Sequence, residues 1–453
     1  MTDPVRNDEA GGLDSEETTV EELSQVRRHR QSKLESIRER GLEPYPYSYD
    51  QTHLAAQAIS LFDQAEQAGE LNDDGHGARV SVAGRITSYR SHGKSAFAHV
   101  EDRSGQVQIY LRKDVLGDEK FDALELLDLS DWLGVEGVLF RTRTGEVTVR
   151  VQEWTLLSKS LRPLPLGKTE TDAETGERST FSGFADKEAR YRQRYADLAV
   201  NPEVRDVFRS RAKIISELRS FLDAEDFLEV ETPALQPLYG GAAARPFLTK
   251  HNALDRTLYL RIADELYLKR LIVGGLGRVY EICKDFRNEG IDRFHNPEFT
   301  MLEFYLAFVD YQGVMALTER MLEHVVQATT GSLEVVYQGQ KIDFAGPYER
   351  VPMLSSLSEA LGAEVDALST QDLRSHAERL KLPDLDGAGW GKLIDKLFGE
   401  LVQPKLVQPT FVMDHPKELS PLAKPHRDDP NLTERFELFV AGEEIANAFS
   451  ELN

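Results

Sequence analysis

The chain has 453 residues, a net charge of −23 and 40% hydrophobic residues. That is more than one hydrophobic core usually fills, so two or more domains are expected. No apolar run of 18 residues and no basic-then-apolar leader is seen, so no membrane span is expected and a cytoplasmic location is; the single cysteine, Cys283, excludes an intrachain disulfide and a multi-cysteine zinc site.

The acidity is unevenly spread. Residues 1–25 hold eight carboxylates and one arginine, the composition of a disordered solubilising tail. Residues 26–78 form a helical extension in this reading, opening with a basic amphipathic helix closed by Gly41. Arg27, Arg28, Arg30, Lys33, Arg38 and Arg40 on it are either an outrigger for an anionic partner or ordinary solvated surface. From Arg79 to Lys113 basic residues dominate, with Arg85, Arg90, Lys94, Arg103 and Arg112 against Glu101 and Asp102, so an acidic protein can still present one basic face.

Over residues 79–162 the hydrophobic period becomes two, with Val80, Val82 and Ile86, then Phe97, Val107, Ile109 and Leu111 between glycine-containing turns. Five or so strands with an intervening helix suit an OB-type barrel, a fold that often binds single-stranded nucleic acid through exposed aromatics. Phe97 is the candidate stacking residue, with a core position as the equal alternative. Residues 163–200, rich in proline, glycine and charge, read as a connection to a second domain at 201–453. There a long helix from Val204 precedes a strand stopped at Pro233. Strands at "LYLRI", "RVYEIC" and "FTMLEFYLAFV" follow, with helices between, and residues 352–405 look like a helical insertion between catalytic strands.

The segment "FRNEGIDRFHNPEFTMLEFY", Phe286 to Tyr305, concentrates opposite charges. Strand alternation puts Phe299, Met301, Glu303 and Tyr305 on one face. A carboxylate among rings needs compensation, and either Arg287 or a cationic ligand would supply it. With "RFELFVAGEEIANAFSELN", the chain offers clustered acids, an arginine and a histidine, which suits a polyphosphate and its magnesium ions better than a hydrolytic pair.

These segments resemble the class II aminoacyl-tRNA synthetases. "FRNEGIDRFHNPEFTMLEFY" is similar to their second motif, and "ETPALQPLYGGAAARPFLTKHNALDRTLYLRIADELYLKRLIVGG" narrows the resemblance to lysine-specific members with an N-terminal anticodon-binding barrel. The resemblance runs from about residue 20 to 453. It implies an α+β multidomain fold, an OB barrel followed by an antiparallel catalytic sheet flanked by helices, in a homodimer whose interface uses the helix from Val204 and the strand that follows it to Pro233. It also implies activation of L-lysine with ATP and Mg2+, then transfer of lysyl to tRNA(Lys). For ATP, the resemblance assigns the α-phosphate to Arg287, the outer phosphates to His295, adenine to Asn296 and Phe299, and the acid of the motif loop to Glu289. For lysine it assigns Gly241, Glu265, Glu303, Tyr305, Asn447, Phe449 and Glu451; for metal, Glu437 and Glu444; for the anticodon, Arg90, Phe97, Gln108 and Glu153. Arg85 and Lys94 would neutralise phosphate.

Two departures stand out. The family's glycine-rich third motif is not found before the chain stops at "SELN", so the expectation of catalysis is conditional on that segment. Ala446 and Ala448 replace frequent glycines, narrowing the approach to substrate or repacking its outer wall. Other readings are a paralogue that lysylates a protein, an aspartyl or asparaginyl ligase, and a nucleic-acid-binding or regulatory protein with an impaired synthetase domain.

Overall fold

The computed structural model describes residues 13–166, 168–171, 178–181 and 184–452. They divide into two compact units, Met1–Arg205 and Asp206–Asn453. Helix α1 spans Leu13–Glu39, so the backbone of residues 13–25, read above as tail, continues the basic helix; residues 1–12 lie outside the described residues. Leucine, glutamate and valine there are compatible with helix, and acids suit a helix N-terminus.

α1 does not present all its cations outward. Arg30 is 7% exposed and donates to the carbonyls of Ser160 and Leu129. Lys33 pairs with Asp128 at 2.8 Å, and the same carboxylate accepts from the buried Lys159. These residues fasten the helix to the barrel, which corrects the outrigger reading for that pair. Helix α2, Ala55–Ala68, places Ala55, Ala58 and Phe62 in the barrel's hydrophobic cluster.

The barrel comprises β1 (His76–His92), β2 (Ser95–Glu101), β3 (Gln106–Arg112), β4 (Trp132–Arg141) and β5 (Val147–Ser158), closed in the order β1-β2-β3-β5-β4. β1 pairs with β4 through Arg79–Arg85 and with β2 through Arg85–His92, with a bulge between Ile86 and Ser88. A bulge bends a strand, which lets one long strand serve two neighbours and removes the open edges. Alternation then fills the interior: Ala96, Ala98 and Val100 of β2 and Val107, Ile109 and Leu111 of β3 are at most 2% exposed. Phe97 points the other way, so the core alternative for it does not hold. Residues 163–200, read as a connection, include the strand pair Lys168–Thr171 with Arg178–Phe181 and two short helices.

The second unit begins within α3, Pro202–Ala224, whose apolar stripe divides. Leu222 is fully buried with Leu218 and Phe221 against it, whereas Val207 and Ile214 are exposed. The strand expected before Pro233 is only β6, Leu228–Glu229, running parallel to β7 (Arg278–Phe286), which pairs antiparallel with β8 (Glu298–Leu306). Helix α4, Glu265–Val273, precedes β7, and α5, Tyr311–Thr330, follows β8. A four-stranded sheet orders β9 (Glu349–Pro352), β10 (Thr410–Pro416), β11 (Leu432–Val440) and β12 (Glu443–Phe449).

β9 and β10 are parallel neighbours, the others antiparallel. Parallel neighbours need a crossover connection. Helices α6 (Met353–Leu361), α7 (Thr370–Arg379) and α8 (Trp390–Leu401) supply it. The insertion expected at 352–405 is therefore the link that this pairing requires, with its own core of Leu357, Leu373, Leu393 and Leu397 packed on Val412 and Phe439 of the sheet.

Candidate active site and nucleic-acid interface

On the outer face of the barrel, Arg90 stands opposite Phe97, and Phe97 opposite Tyr110, in cross-strand register. The Phe97 and Tyr110 rings stack at 4.4 Å with 20° between their planes. One step along, Gln108 donates to Glu146 at 2.6 Å and accepts from the Thr148 hydroxyl. Register thus brings Arg90, Phe97 and Gln108 onto one face. Glu153 lies farther along β5, ion-paired to Lys120 of a short helix. Tyr110 was not singled out from sequence, although its odd spacing from the buried Ile109 and Leu111 carried the signal.

In the second unit, β8 alternates as expected. Leu302, Phe304 and Leu306 join the hydrophobic cluster under the sheet, leaving Phe299, Glu303 and Tyr305 on the other face. Glu303 Oε2 accepts the backbone N–H of Asp264 at 2.7 Å. Burial raises its pKa from the usual 4.5 to about 7, and the nearby acids Asp264, Asp285 and Glu265 add to that; the Asp264 N–H works against it. Arg287 does not neutralise it: its guanidinium lies 5.1 Å from the centroid of the Phe299 ring, and its Nε is 3.4 Å from the Ile262 carbonyl. Of the two compensations considered for Glu303, the arginine is thus ruled out as an ion-pair partner, and among the described residues no cation pairs with this carboxylate.

Other acids of the expected lysine pocket already have a cation. The Lys269 ammonium, on α4, lies 2.6 Å from Glu265 Oε1 and 2.9 Å from Glu451 Oε1. It is also 5.9 Å from the centroid of Tyr305 and 5.8 Å from that of Phe449. Burial works against its charge, but the two carboxylates outweigh burial and hold its pKa above the ordinary lysine value. Gly241 closes one side with φ +92°; a Cβ there would lie 3.0 Å from that of Glu265. Six expected residues, Gly241, Glu265, Glu303, Tyr305, Phe449 and Glu451, therefore share one neighbourhood. Lys269 was missed from sequence, where "LYLKRL" reads as a helix surface.

Behind the pocket lies a buried charge network. Arg261 reaches Glu281 at 2.7 Å, Asp264 at 3.3 Å and Asp285 at 3.6 Å. Asp285 is fully buried and its pKa rises to about 7, through burial and then the charge of Asp264. Cys283 donates to Asp264 at 2.8 Å, and burial pushes its thiol well above the usual range. Asp264, Glu281 and Cys283 form the one metal-like group of three among the described residues, but Arg261 already supplies its cation.

The acids assigned to metal lie elsewhere. Glu437 on β11 accepts from Arg435 at 2.5 Å, and Arg435 also donates to Asn447 Oδ1 at 3.0 Å, which places Asn447 beside Glu437. His415 is 1% exposed, lies 3.6 Å from Glu437, and among the described residues has no hydrogen-bond partner on either ring nitrogen. Burial and the charge of Glu437 push Glu444 up to about 7, and Arg287 is close enough to oppose that rise. Two crowded carboxylates, one holding its proton to about neutrality, form an oxygen donor set that a divalent cation with phosphate ligands would fit.

The second-motif loop is built differently from its flanking strands. Asp292 accepts from the backbone N–H groups of Phe294 and His295, each at 2.7 Å, and meets His295 Nδ1 at 2.7 Å. Glu289, His295 and Asn296 are all exposed on this loop, with His295 turned onto Asp292. The structure therefore groups Arg287 with Phe299 but does not gather His295 and Asn296 around them.

Residues 186–453 match the family described as tRNA synthetases class II (D, K and N), and residues 80–157 match the OB-fold nucleic acid binding domain. The chain belongs to the class II tRNA synthetases. It is 48% identical over 436 residues to the Lysine--tRNA ligase of Carboxydothermus hydrogenoformans, covering 96% of this chain and 84% of that protein. The Lysine--tRNA ligase of Pelotomaculum thermopropionicum is 48% identical with 82% of it covered, and that of Christiangramia forsetii 47% identical with 74% covered.

Proposed function

We propose that this chain is a lysine–tRNA ligase, forming lysyl-adenylate from L-lysine and ATP and transferring lysyl to the terminal adenosine of tRNA(Lys). The observation that carries the choice of lysine is Glu303, a half-buried carboxylate facing a pocket of acids and rings with no cation of its own. A substrate ammonium supplies what that carboxylate lacks, whereas an aspartate side chain would add a further negative charge. Glu265 and Gly241 would flank the α-amino group, Tyr305, Phe449 and Glu451 the side-chain end, and Asn447 the pocket wall.

The chemistry needs no enzyme nucleophile. A carboxylate oxygen of lysine attacks the α-phosphorus, and pyrophosphate leaves with the electrons of the broken P–O bond. A hydroxyl of the tRNA's terminal adenosine then attacks the lysyl carbonyl, and AMP leaves. Arg287, fixed over Phe299, would hold the α-phosphate and stabilise charge in the transition state, while Phe299 gives adenine a stacking ring. His295 and Asn296 would reach ATP by movement of their exposed loop, with Glu289 as its acid. Glu437 and Glu444 would hold Mg2+, which when bound neutralises and orients the triphosphate. The exposed Val207 and Ile214 of α3 support a homodimer, and no helix among the described residues is long and apolar enough to cross a membrane.

Arg90, Phe97, Gln108 and Glu153 would read the anticodon, and the barrel favours tRNA over a protein acceptor. The test is lysine-dependent ATP–pyrophosphate exchange followed by charging of a tRNA(Lys) transcript. Exchange and charging with lysine alone among amino acids supports the proposal. Exchange with aspartate or asparagine, or tRNA binding without exchange in protein extended to the length of its relatives, would select the corresponding alternative.

A further inference from the structure

The cross-strand row that contains Arg90 and Phe97 continues beyond them. Phe97 on β2 pairs with Tyr110 on β3, and Tyr110 pairs in parallel register with Arg150 on β5. Register partners share a face of a sheet, so the outer wall presents arginine, ring, ring, arginine across four strands. Neither the Arg90 nor the Arg150 side chain has a hydrogen bond or ion pair within the described residues, whereas neighbouring cations of the barrel are engaged: Arg79 with Glu136, Arg112 with Asp114 and Arg141 with Asp63. The aromatic surface also extends past Tyr110 to Phe140, 6.1 Å away between centroids.

From this row we infer an RNA contact beyond the residues assigned above: Arg150 neutralises a backbone phosphate of the anticodon loop, and Tyr110 backs Phe97 so that its free face stays presented to a base. The inference rests on the proposed tRNA-binding reading and deepens it. The near-parallel stack explains the role of Tyr110. With one face of Phe97 covered by Tyr110, a base adds to the opposite face and extends an existing stack, without first paying to order the phenylalanine. Arg150 lies beyond that pair on the side away from Arg90. A nucleotide whose base stacks on Phe97 thus has an arginine at either end of the row for the phosphates that flank it. A phosphate contact carries no sequence information, so Arg150 contributes affinity while Phe97 and Gln108 contribute choice.

The test uses the full chain and a tRNA(Lys) transcript, with binding followed across a salt series, beside a transcript of the same fold carrying another anticodon. For Arg150→Gln, binding is expected to weaken several-fold to both transcripts alike, and the slope of log affinity against log salt to become shallower by roughly 0.7 to 0.9, the release of about one counterion. Arg150→Lys restores the slope. For Tyr110→Leu, binding weakens by about tenfold with the slope unchanged, and Tyr110→Phe binds as the wild type does. Thermal melts confirm that each variant is folded. A wild-type slope in folded Arg150→Gln, or wild-type affinity in Tyr110→Leu, overturns the assignment of that residue. Wild-type protein that does not distinguish tRNA(Lys) from the other transcript would overturn the underlying anticodon reading instead, a result independent of the variants.

Discussion

The Asp264 backbone N–H donates to Glu303 Oε2 at 2.7 Å, and this single neutral donor is what the structure gives a carboxylate with three acidic neighbours. Glu303 is consequently protonated in part at neutral pH, and an arriving ammonium must find it ionised. In exchange assays, kcat/KM for lysine is expected to rise with pH, by up to tenfold per unit, until about pH 7 and then level off. Asp285 and Glu444 have similar midpoints, so the assignment is checked with Glu303→Gln. That variant should lose roughly 100-fold or more in kcat/KM for lysine and lose most of the rising limb. A full limb in the variant would move the titration to another acid.

The same proton makes a stability prediction of opposite sign. A carboxyl whose folded pKa lies above its unfolded value binds more protons when folded, so its favourable contribution is complete below about 4.5 and is lost as pH rises through about 7. Glu303→Gln should therefore melt higher than the wild type at pH 8, by about 1–3 kcal/mol, with no difference near pH 4.5. Scanning calorimetry at the two pH values decides this. Activity lost with stability gained is the pattern of a strained binding site.

Arg287 over Phe299 joins the expected phosphate and adenine contacts into one unit. Arg287→Ala should cost about 100- to 1,000-fold in the exchange rate, as for removal of a group that stabilises developing charge. Binding of tRNA(Lys) to the same protein should persist. Undiminished exchange in Arg287→Ala would remove it from the reaction.

Lys269 holds Glu265 and Glu451 through one ammonium, linking α4 to the segment after β12. In Lys269→Met those two carboxylates lose their shared cation. The melting temperature should fall by the equivalent of about 1 kcal/mol at pH 8 and by less at pH 5, because burial raises the pKa of Glu451, which then takes up a proton in place of the lost cation. Lys269→Arg should recover most of it. A pH-independent loss would instead point to packing of the aliphatic stem.

Phe97→Ala removes the ring that stacks on Tyr110. Affinity for a tRNA(Lys) transcript should drop by about 5- to 100-fold, the worth of stacking on one base, with the salt slope unaltered. Equal affinity would place the anticodon elsewhere.

The sequence by itself determined which residues share a face. Period-two alternation put Ile109 and Leu111 of β3 together and Glu303 of β8 beside Tyr305, because side-chain direction along a strand is a local property of the backbone, whereas on β2 it left Phe97 open between core and surface. The resemblance to the class II synthetases likewise marked Arg287 and Phe299. What only the tertiary structure decided was which faces meet. Glu265 and Glu451 stand at distant points of the chain and come together on Lys269, a residue whose local pattern is an ordinary helix surface. Arg261, hidden in "LYLRI", becomes the cation of a buried acidic network for the same reason. Tyr110 and Arg150 meet through the parallel pairing of β3 with β5, and the helices of 352–405 proved to be the crossover demanded by the parallel β9 and β10. Such contacts depend on strand order and sheet closure, which long-range packing sets and no local period encodes.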